Sequence, residues 1–189
     1  MNKMKIIFYG TPAFAVQNLE YLHKNNFTIS AVVTATDKRS GRGNKINSSA
    51  VKKYALANNI YILQPKNLKV DSFVNKIKDL APDYQVVVAF RMLPECVWSL
   101  SRLGTINLHA SLLPNYRGAA PINWVIKNNE KFTGLTTFLI DDKIDTGAIL
   151  LQTKIAINPK ETAGGLHDRL AQLGGPLIQK TLSDFNEGK

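Results

Sequence analysis

The chain has 189 residues, 44% of them hydrophobic, and a formal net charge of +10 at pH 7. This length is enough for one substantial hydrophobic core, so we expect a single domain. Cys96 is the only cysteine, which excludes an internal disulfide and a cysteine-based zinc site and fits a reducing, cytoplasmic setting. The sequence contains no apolar run of about 18 residues, so it predicts no membrane-spanning helix.

The first half of the chain alternates between predicted strands and helices. The segment MKIIFYG predicts a buried strand, a helix starts near Pro12, and FTISAVVTAT predicts a second strand. A polar, glycine-containing loop, DKRSGRGNKINSS, follows. Helical patterns then cover AVKKYALANN and DSFVNKIKDL, and strand patterns cover IYILQP and YQVVVAF.

The second half continues the alternation. We predict a short helix over PECVWSL, a strand over GTINLHA, a helix near Pro121, and strands over TGLTTFLID and ILLQTKIAI. The last helix should be interrupted around Gly174, Gly175 and Pro176. Apolar strands separated by helices predict an α/β fold: an open, mostly parallel, Rossmann-like sheet with helices on both faces.

Polar residues collect where the ligand site of such a sheet is expected, beyond the carboxyl ends of its strands. Asn107 and His109 are two positions apart in one predicted strand, so their side chains leave the same face. A loop with two prolines follows directly, and a later turn, DDKIDTG, carries three acids. If Asp145 reaches His109, it can hold the imidazole in one tautomer and stabilise the protonated form.

Each of these residues also has an ordinary structural explanation. His109 could be a hydrogen-bonded structural histidine, Asn107 could cap a turn, and the three acids could form a solvated hairpin tip. The combination of Asn-x-His at a strand end with a rigid loop after it favours a functional site.

Other chemistries lack their motifs. GTPAFA, at residues 10 to 15, keeps only the first glycine of a dinucleotide-binding fingerprint, and a P-loop motif is absent. His23, His109 and His167 do not have metal-ligand spacing, so we expect no metal. Ser111 lies outside any G-x-S-x-G elbow, which argues against a serine hydrolase.

Half of the excess positive charge lies in one stretch. Residues 37 to 53 contain six basic residues and one acid, a local balance of +5. This concentration predicts an anionic partner for the basic loop, which we define as residues 37 to 45.

The block NLHASLLPNYRGAAPINW followed by DDKIDTGAILLQ resembles the signature of the folate-dependent formyltransferases. Within that family, KIIFYGTPAFA and SGRGNKINSSAVKKYA are similar to the members that formylate methionyl-tRNA. The likeness covers essentially the whole chain. It implies transfer of a formyl group from 10-formyltetrahydrofolate, as cosubstrate, to the amino group of methionine on initiator tRNA.

The resemblance also implies roles for individual residues. Asn107 and His109 would polarise the formyl oxygen, and Asp145 would tune His109 and assist proton transfer. The implied folate-binding residues are Phe90, Arg91, Met92, Leu93, Ser111, Leu112, Leu113, Pro114, Ile140 and Asp142. The implied tRNA-binding residues are Lys38, Arg39, Arg42 and Lys45.

The chain departs from the family pattern in two respects. The segment AFRMLP is one residue shorter than usual and has Arg91 where a glycine is common, so the wall of the pterin pocket is expected to differ. The family's second, β-rich domain, which helps to hold tRNA, is not found here. We therefore expect residues 1–189 to be the catalytic domain, monomeric, cytoplasmic and not bound to a membrane.

Two other functions remain open at this point. A sugar-nucleotide N-formyltransferase would share the Asn, His and Asp but has no evident use for the basic loop. A non-catalytic RNA-binding module would need the positive charge but not these three residues.

Overall fold

The computed structural model describes residues 4–40 and 45–186, which divide into two units, 1–105 and 106–189. The strands of the first unit are β1 (Lys5–Gly10), β2 (Thr28–Val33), β3 (Lys38–Ser40), β4 (Lys45–Asn47), β5 (Ile62–Leu63) and β6 (Tyr84–Val88). Its helices are α1 (Ala13–Lys24), α2 (Ala50–Ala57), α3 (Asp71–Leu80) and α4 (Glu95–Trp98).

A parallel sheet forms the core of the first unit. β1 pairs in parallel with both β2 and β6, and β2 pairs in parallel with β5. Four consecutive residues of β1, Ile6 to Tyr9, are completely buried, as expected for a strand covered on both faces. Helix α1 begins directly after Pro12, as predicted, and packs Leu19 and Leu22 into this core.

Two short strands within and beside the basic loop form an antiparallel ribbon, which the sequence did not predict. β3 pairs with β4, so that Lys38 lies opposite Asn47 and Ser40 opposite Lys45. Polar contacts anchor the base of the ribbon: the Lys52 ammonium donates to the Asp37 carboxylate at 2.5 Å, and Gln64 donates to the same carboxylate at 3.1 Å.

The second unit combines antiparallel strands with helices. β7 (Gly104–His109) begins at the end of the first unit and is followed by α5 (Pro121–Lys127), β8 (Phe132–Leu139), β9 (Ile149–Ala156) and α6 (Ala163–Asn186). β8 pairs in antiparallel fashion with β7 on one side and β9 on the other. Helix α6 packs against β8 and β9.

The predicted interruption of the last helix is wrong, because α6 continues through Pro176. Proline removes one backbone hydrogen bond from a helix and disfavours it. Here Ala171 precedes the proline, and Leu177, Ile178 and Leu182 follow it, all buried. Burial of apolar side chains on both sides of Pro176 compensates for the lost bond, so packing overrides local propensity.

Candidate functional site

The predicted catalytic residues all lie in the second unit. Asn107 and His109 are on β7, and Asp145 is in the turn between β8 and β9. The antiparallel register places Asn107 opposite Phe138 and His109 opposite Thr136. Because successive residues of a strand alternate between faces, Asn107 and His109 present their side chains on the same face.

His109 contacts an acceptor at each of its ring nitrogens. Nδ1 lies 3.5 Å from Oδ2 of Asp145, and the two side chains are only 8% and 12% exposed. Nε2 lies 2.7 Å from the carbonyl oxygen of Tyr116. The structure therefore places His109 and Asp145 close together with little access to water, where the carboxylate would stabilise a protonated imidazole more strongly than at the surface.

Backbone geometry sets the position of Asp145. The backbone N–H of Gly118 donates to Asp145 Oδ2 at 2.7 Å. Asp145 has a φ of 52° and Gly118 a φ of 80°, both in the left-handed region that glycine tolerates and other residues disfavour. Asp145 thus adopts a left-handed backbone, which aspartate tolerates better than most residues, at the point where its carboxylate meets His109.

The three acids of the turn do not form one solvated tip. Asp141 accepts hydrogen bonds from the backbone N–H of Lys143 and the hydroxyl of Thr146, so it organises the turn. Asp142 is exposed, whereas Asp145 is mostly buried and paired. Gly147 closes the turn so tightly that a Cβ there would lie 1.7 Å from the Leu139 carbonyl oxygen, which only glycine permits.

The SLLP run, residues 111 to 114, is held by polar side chains that the sequence analysis did not identify. The buried Thr136 hydroxyl donates to the Ser111 carbonyl and accepts from the Leu113 backbone N–H. Gln152 donates to the Leu113 carbonyl at 2.8 Å. Their positions in predicted strands suggested only core packing, so no local signal marks this role.

The members of the SLLP run differ in exposure. Ser111 and Leu113 are buried, Leu112 is half-buried, and Pro114, after a cis peptide bond, is exposed. The Ser111 hydroxyl donates its proton to the Asn115 carbonyl, so this hydrogen bond lies within the loop.

The amide of Asn107 is half-buried on β7. Within residues 4–40 and 45–186 it has no protein hydrogen-bond partner. A half-buried amide of this kind is available to a ligand on the face that it shares with His109.

The predicted folate residues Phe90 to Leu93 lie in the first unit, directly after β6. The Phe90 ring meets the Tyr9 ring edge to face, with centroids 5.7 Å apart. Arg91 donates from its guanidinium to the carbonyl oxygens of Pro65 and Lys66, at 2.5 and 2.9 Å. Leu93 is buried and Met92 is 59% exposed.

Residues 37 to 45 are described only in part. Lys38 is exposed on β3, and Arg39 and Lys45 lie on β3 and β4. Arg42 lies outside the described residues.

The remaining two histidines have local partners. Nδ1 of His23 lies 3.1 Å from the hydroxyl of Tyr54, and Nδ1 of His167 lies 2.9 Å from Asp168. Among the described residues, no group of three His, Cys, Asp or Glu side chains is arranged to hold a metal ion. Over the same residues, no helix has the length and apolar character needed to cross a membrane.

The sequence matches the family described as formyl transferase over residues 3–182. A protein from Flavobacterium johnsoniae named methionyl-tRNA formyltransferase is 60% identical over 188 residues, which cover 100% of this chain and 60% of that protein. A protein of the same name from Bacteroides fragilis is 47% identical over 98% of this chain and 57% of its own length. The chain thus spans about 60% of the length of the curated relatives it matches.

Solved structures support the fold class. Phosphoribosylglycinamide formyltransferase from Bacillus halodurans superposes with a TM-score of 0.78 at 18% identity, covering 94% of this chain and 93% of its own. The sugar 3N-formyl transferase WlaRD, solved in the presence of dTDP and 5-N-formyl-THF, gives 0.70 at 24% identity over 100% of this chain and 65% of its own. These similarities confirm the predicted open, mostly parallel α/β sheet with helices.

Proposed function

This chain belongs to the formyl transferase family, and from that premise we propose that it transfers a formyl group from 10-formyltetrahydrofolate to the amino group of initiator methionyl-tRNA. The supporting comparison is the 47–60% identity, over nearly the whole chain, to proteins named methionyl-tRNA formyltransferase. Three further points stay predictions: that residues 1–189 are the catalytic domain for that activity, that the protein is a monomer, and that it is located in the cytoplasm.

The observation that carries this proposal is the arrangement of three side chains. His109 is 7% exposed and lies beside Asp145, while the Asn107 amide, on the same strand face, makes no hydrogen bond to the part of the chain that the structure describes. An amide donor and an imidazole side by side are the groups that stabilise a developing oxyanion. A partner carboxylate supports an imidazole that takes up a proton.

The chemistry follows from these groups. The amine nitrogen attacks the formyl carbon, a C–N bond forms, and the formyl oxygen becomes negative. Asn107 and His109 donate hydrogen bonds to that oxygen, each such donor being worth about 10²- to 10³-fold in rate. As the bond to the folate nitrogen breaks, its electron pair goes to that nitrogen, which takes up the proton that the amine loses. Asp145 stabilises positive charge on His109 while the oxyanion is present.

As the family resemblance implies, we propose folate-binding roles for residues of each unit, taken separately. In the second unit these are Ser111, Leu112, Leu113, Pro114, Ile140 and Asp142. The SLLP run suits this role because Thr136 and Gln152 fix its backbone before a ligand arrives. In the first unit they are Phe90, Arg91, Met92 and Leu93.

For the acceptor, we propose that Lys38, Arg39, Arg42 and Lys45 contact phosphates of the tRNA. Residues 37 to 45 contain four basic residues and no aromatic one that could stack on a base, which suits contacts to the phosphate backbone.

A sugar-nucleotide N-formyltransferase remains the second candidate, because WlaRD shares the fold. The basic ribbon favours the tRNA acceptor, since a nucleotide sugar offers far fewer phosphates than a nucleic acid does.

The experiment is a formyl-transfer assay with 10-formyltetrahydrofolate and methionyl-tRNA. We expect transfer by this chain, a fall of at least roughly 10²-fold in kcat for His109→Ala, and little change for His167→Ala, which alters a histidine on α6. Retained RNA binding by an inactive His109→Ala variant separates the enzyme from an RNA-binding module. Formylation of an aminosugar nucleotide in preference to methionyl-tRNA would contradict the proposal.

A further inference from the structure

Tyr116 has an unusual backbone for a residue with a large side chain. Its φ is 58°, in the left-handed region, and it lies in the loop between β7 and α5. Residues other than glycine, asparagine and aspartate seldom adopt this conformation without contacts that hold it. Such contacts are present at both ends of the residue.

The two ends of Tyr116 make different hydrogen bonds. Its backbone carbonyl lies 2.7 Å from Nε2 of His109. Its phenol hydroxyl donates to Oε1 of Glu130 at 2.5 Å and accepts from the side-chain amide of Asn128 at 3.0 Å. The hydrogen bond to Glu130 raises the pKa of Tyr116, so the phenol keeps its proton for this contact.

The contact at Nε2 has a chemical consequence for His109. A carbonyl oxygen only accepts hydrogen bonds, so Nε2 must carry the proton in this contact. A neutral imidazole has one proton, which leaves Nδ1 unprotonated and facing Asp145 at 3.5 Å. A carboxylate at Nδ1 would favour a proton there, but 3.5 Å is long for a hydrogen bond, so the 2.7 Å contact at Nε2 is the stronger of the two.

We propose that Tyr116 is a positioning residue of the formyl-transfer site: its carbonyl keeps the resting proton of His109 on Nε2, and its phenol, through Glu130, holds that carbonyl in place. The catalytic meaning of this role rests on the proposed function, whereas the tautomer itself does not. Asp145 then acts when Nδ1 takes up a second proton and the imidazole becomes a cation.

The arrangement keeps a donor ready for the substrate. In the proposed reaction the formyl oxygen shares this Nε2–H with the Tyr116 carbonyl, which stays in place. A donor that is already protonated and oriented costs little reorganisation at the moment of reaction.

The first test reads the tautomer directly. The chain has three histidines, so ¹⁵N labelling of histidine gives few resonances, and those missing in His109→Gln belong to His109. Once the pH has been raised until the His109 shifts no longer change, so that the ring is neutral, we expect the shifts of the Nε2–H form. Shifts of the Nδ1–H form would overturn the proposal. This measurement needs no catalysis, so it stands apart from the fate of the proposed function.

The second test removes the hydrogen bond between the Tyr116 phenol and Glu130 by changing each partner in turn. Tyr116→Phe and Glu130→Ala should each shift His109 toward a mixture of tautomers and lower kcat by roughly 3- to 10-fold with little change in KM for the folate donor. The double variant should lose no more than either single variant, since both remove the same bond. Glu130→Gln keeps an acceptor oxygen and should retain the wild-type tautomer.

Controls keep these results interpretable. Tyr61→Phe removes a hydroxyl from a half-exposed tyrosine in the first unit and should leave the tautomer and kcat unchanged. If Tyr116→Phe does not fold, Glu130→Ala decides the question, because Glu130 is exposed. An unchanged His109 tautomer in folded Tyr116→Phe and Glu130→Ala would overturn the role of the phenol.

Discussion

The three acids between β8 and β9 show how different the environments of neighbouring residues can be. Asp141 accepts a hydrogen bond from the backbone of its own turn, Asp142 is exposed, and Asp145 is mostly buried against His109. Of the three, only Asp145 combines a histidine partner, low exposure and a left-handed backbone, with a φ of 52°. These features make Asp145 the acid for which we propose a catalytic role.

Replacement of Asp145 by asparagine should separate charge from structure. An amide oxygen can still accept from the Gly118 N–H, so we expect little change in thermal stability. Loss of the negative charge beside His109 should lower kcat by roughly 10²-fold or more, with little change in KM for the donor. The check is steady-state kinetics with thermal unfolding, and Asp168→Asn on α6 as the control. Full activity in folded Asp145→Asn would exclude a role for the carboxylate.

At the scale of elements, Asp83 joins three segments of the first unit. Its carboxylate accepts from the Lys5 backbone N–H at the start of β1, at 2.8 Å, and from the Arg102 guanidinium, at 2.7 and 2.9 Å. The residue itself precedes β6, the neighbour of β1. The backbone hydrogen bond from Lys5, and next the hydrogen bond from Arg102, hold the pKa of Asp83 below its ordinary value of 3.8.

This lowered pKa predicts a pH-dependent contribution to stability. The folded state favours the carboxylate, so the contribution is fully present above a pH of about 4 and is lost as pH falls through the lower folded pKa. Asp83→Asn should therefore lower the free energy of unfolding at pH 7, and the difference from wild type should shrink below pH 4. Urea unfolding at several pH values measures this, with Asp79→Asn on α3 as the control. A difference that persists unchanged into acid would mean that the charge of Asp83 contributes nothing.

At the scale of the whole molecule, the net charge of +10 is the property most relevant to a nucleic-acid partner. Half of that excess lies in residues 37 to 53, so the positive charge is concentrated around the ribbon and its flanks. Each phosphate contact made by a basic side chain releases counterions, which makes affinity fall with salt.

The salt dependence of tRNA binding should measure how much the basic residues of the ribbon contribute to that binding. If Lys38 and Lys45 contact phosphates as proposed, Lys38→Ala with Lys45→Ala should reduce the slope of log affinity against log salt by roughly 1.5. The matched control, Lys76→Ala with Lys78→Ala, removes the same charge from α3, where both lysines are exposed, and should leave the slope nearly unchanged. Equal effects from the two pairs would show that net charge, rather than the ribbon, controls binding.

The sequence alone was sufficient for features that depend on local pattern. The apolar run from Ile6 to Tyr9 is a buried strand, Pro12 precedes a helix, and Asn107 and His109 share a strand, all as predicted. These outcomes follow from hydrophobic periodicity and from the backbone chemistry of single residues, which act over a few positions.

Other features were decided only by tertiary structure. α6 continues through Pro176 because buried side chains on both sides outweigh a lost hydrogen bond, and that energy is not visible in local sequence. The pairing of Asp145 with His109 could be stated only as a condition, since it joins residues on separate elements. The Tyr116 carbonyl at Nε2 could not be predicted at all, because every residue has a carbonyl and only the folded backbone determines where it points.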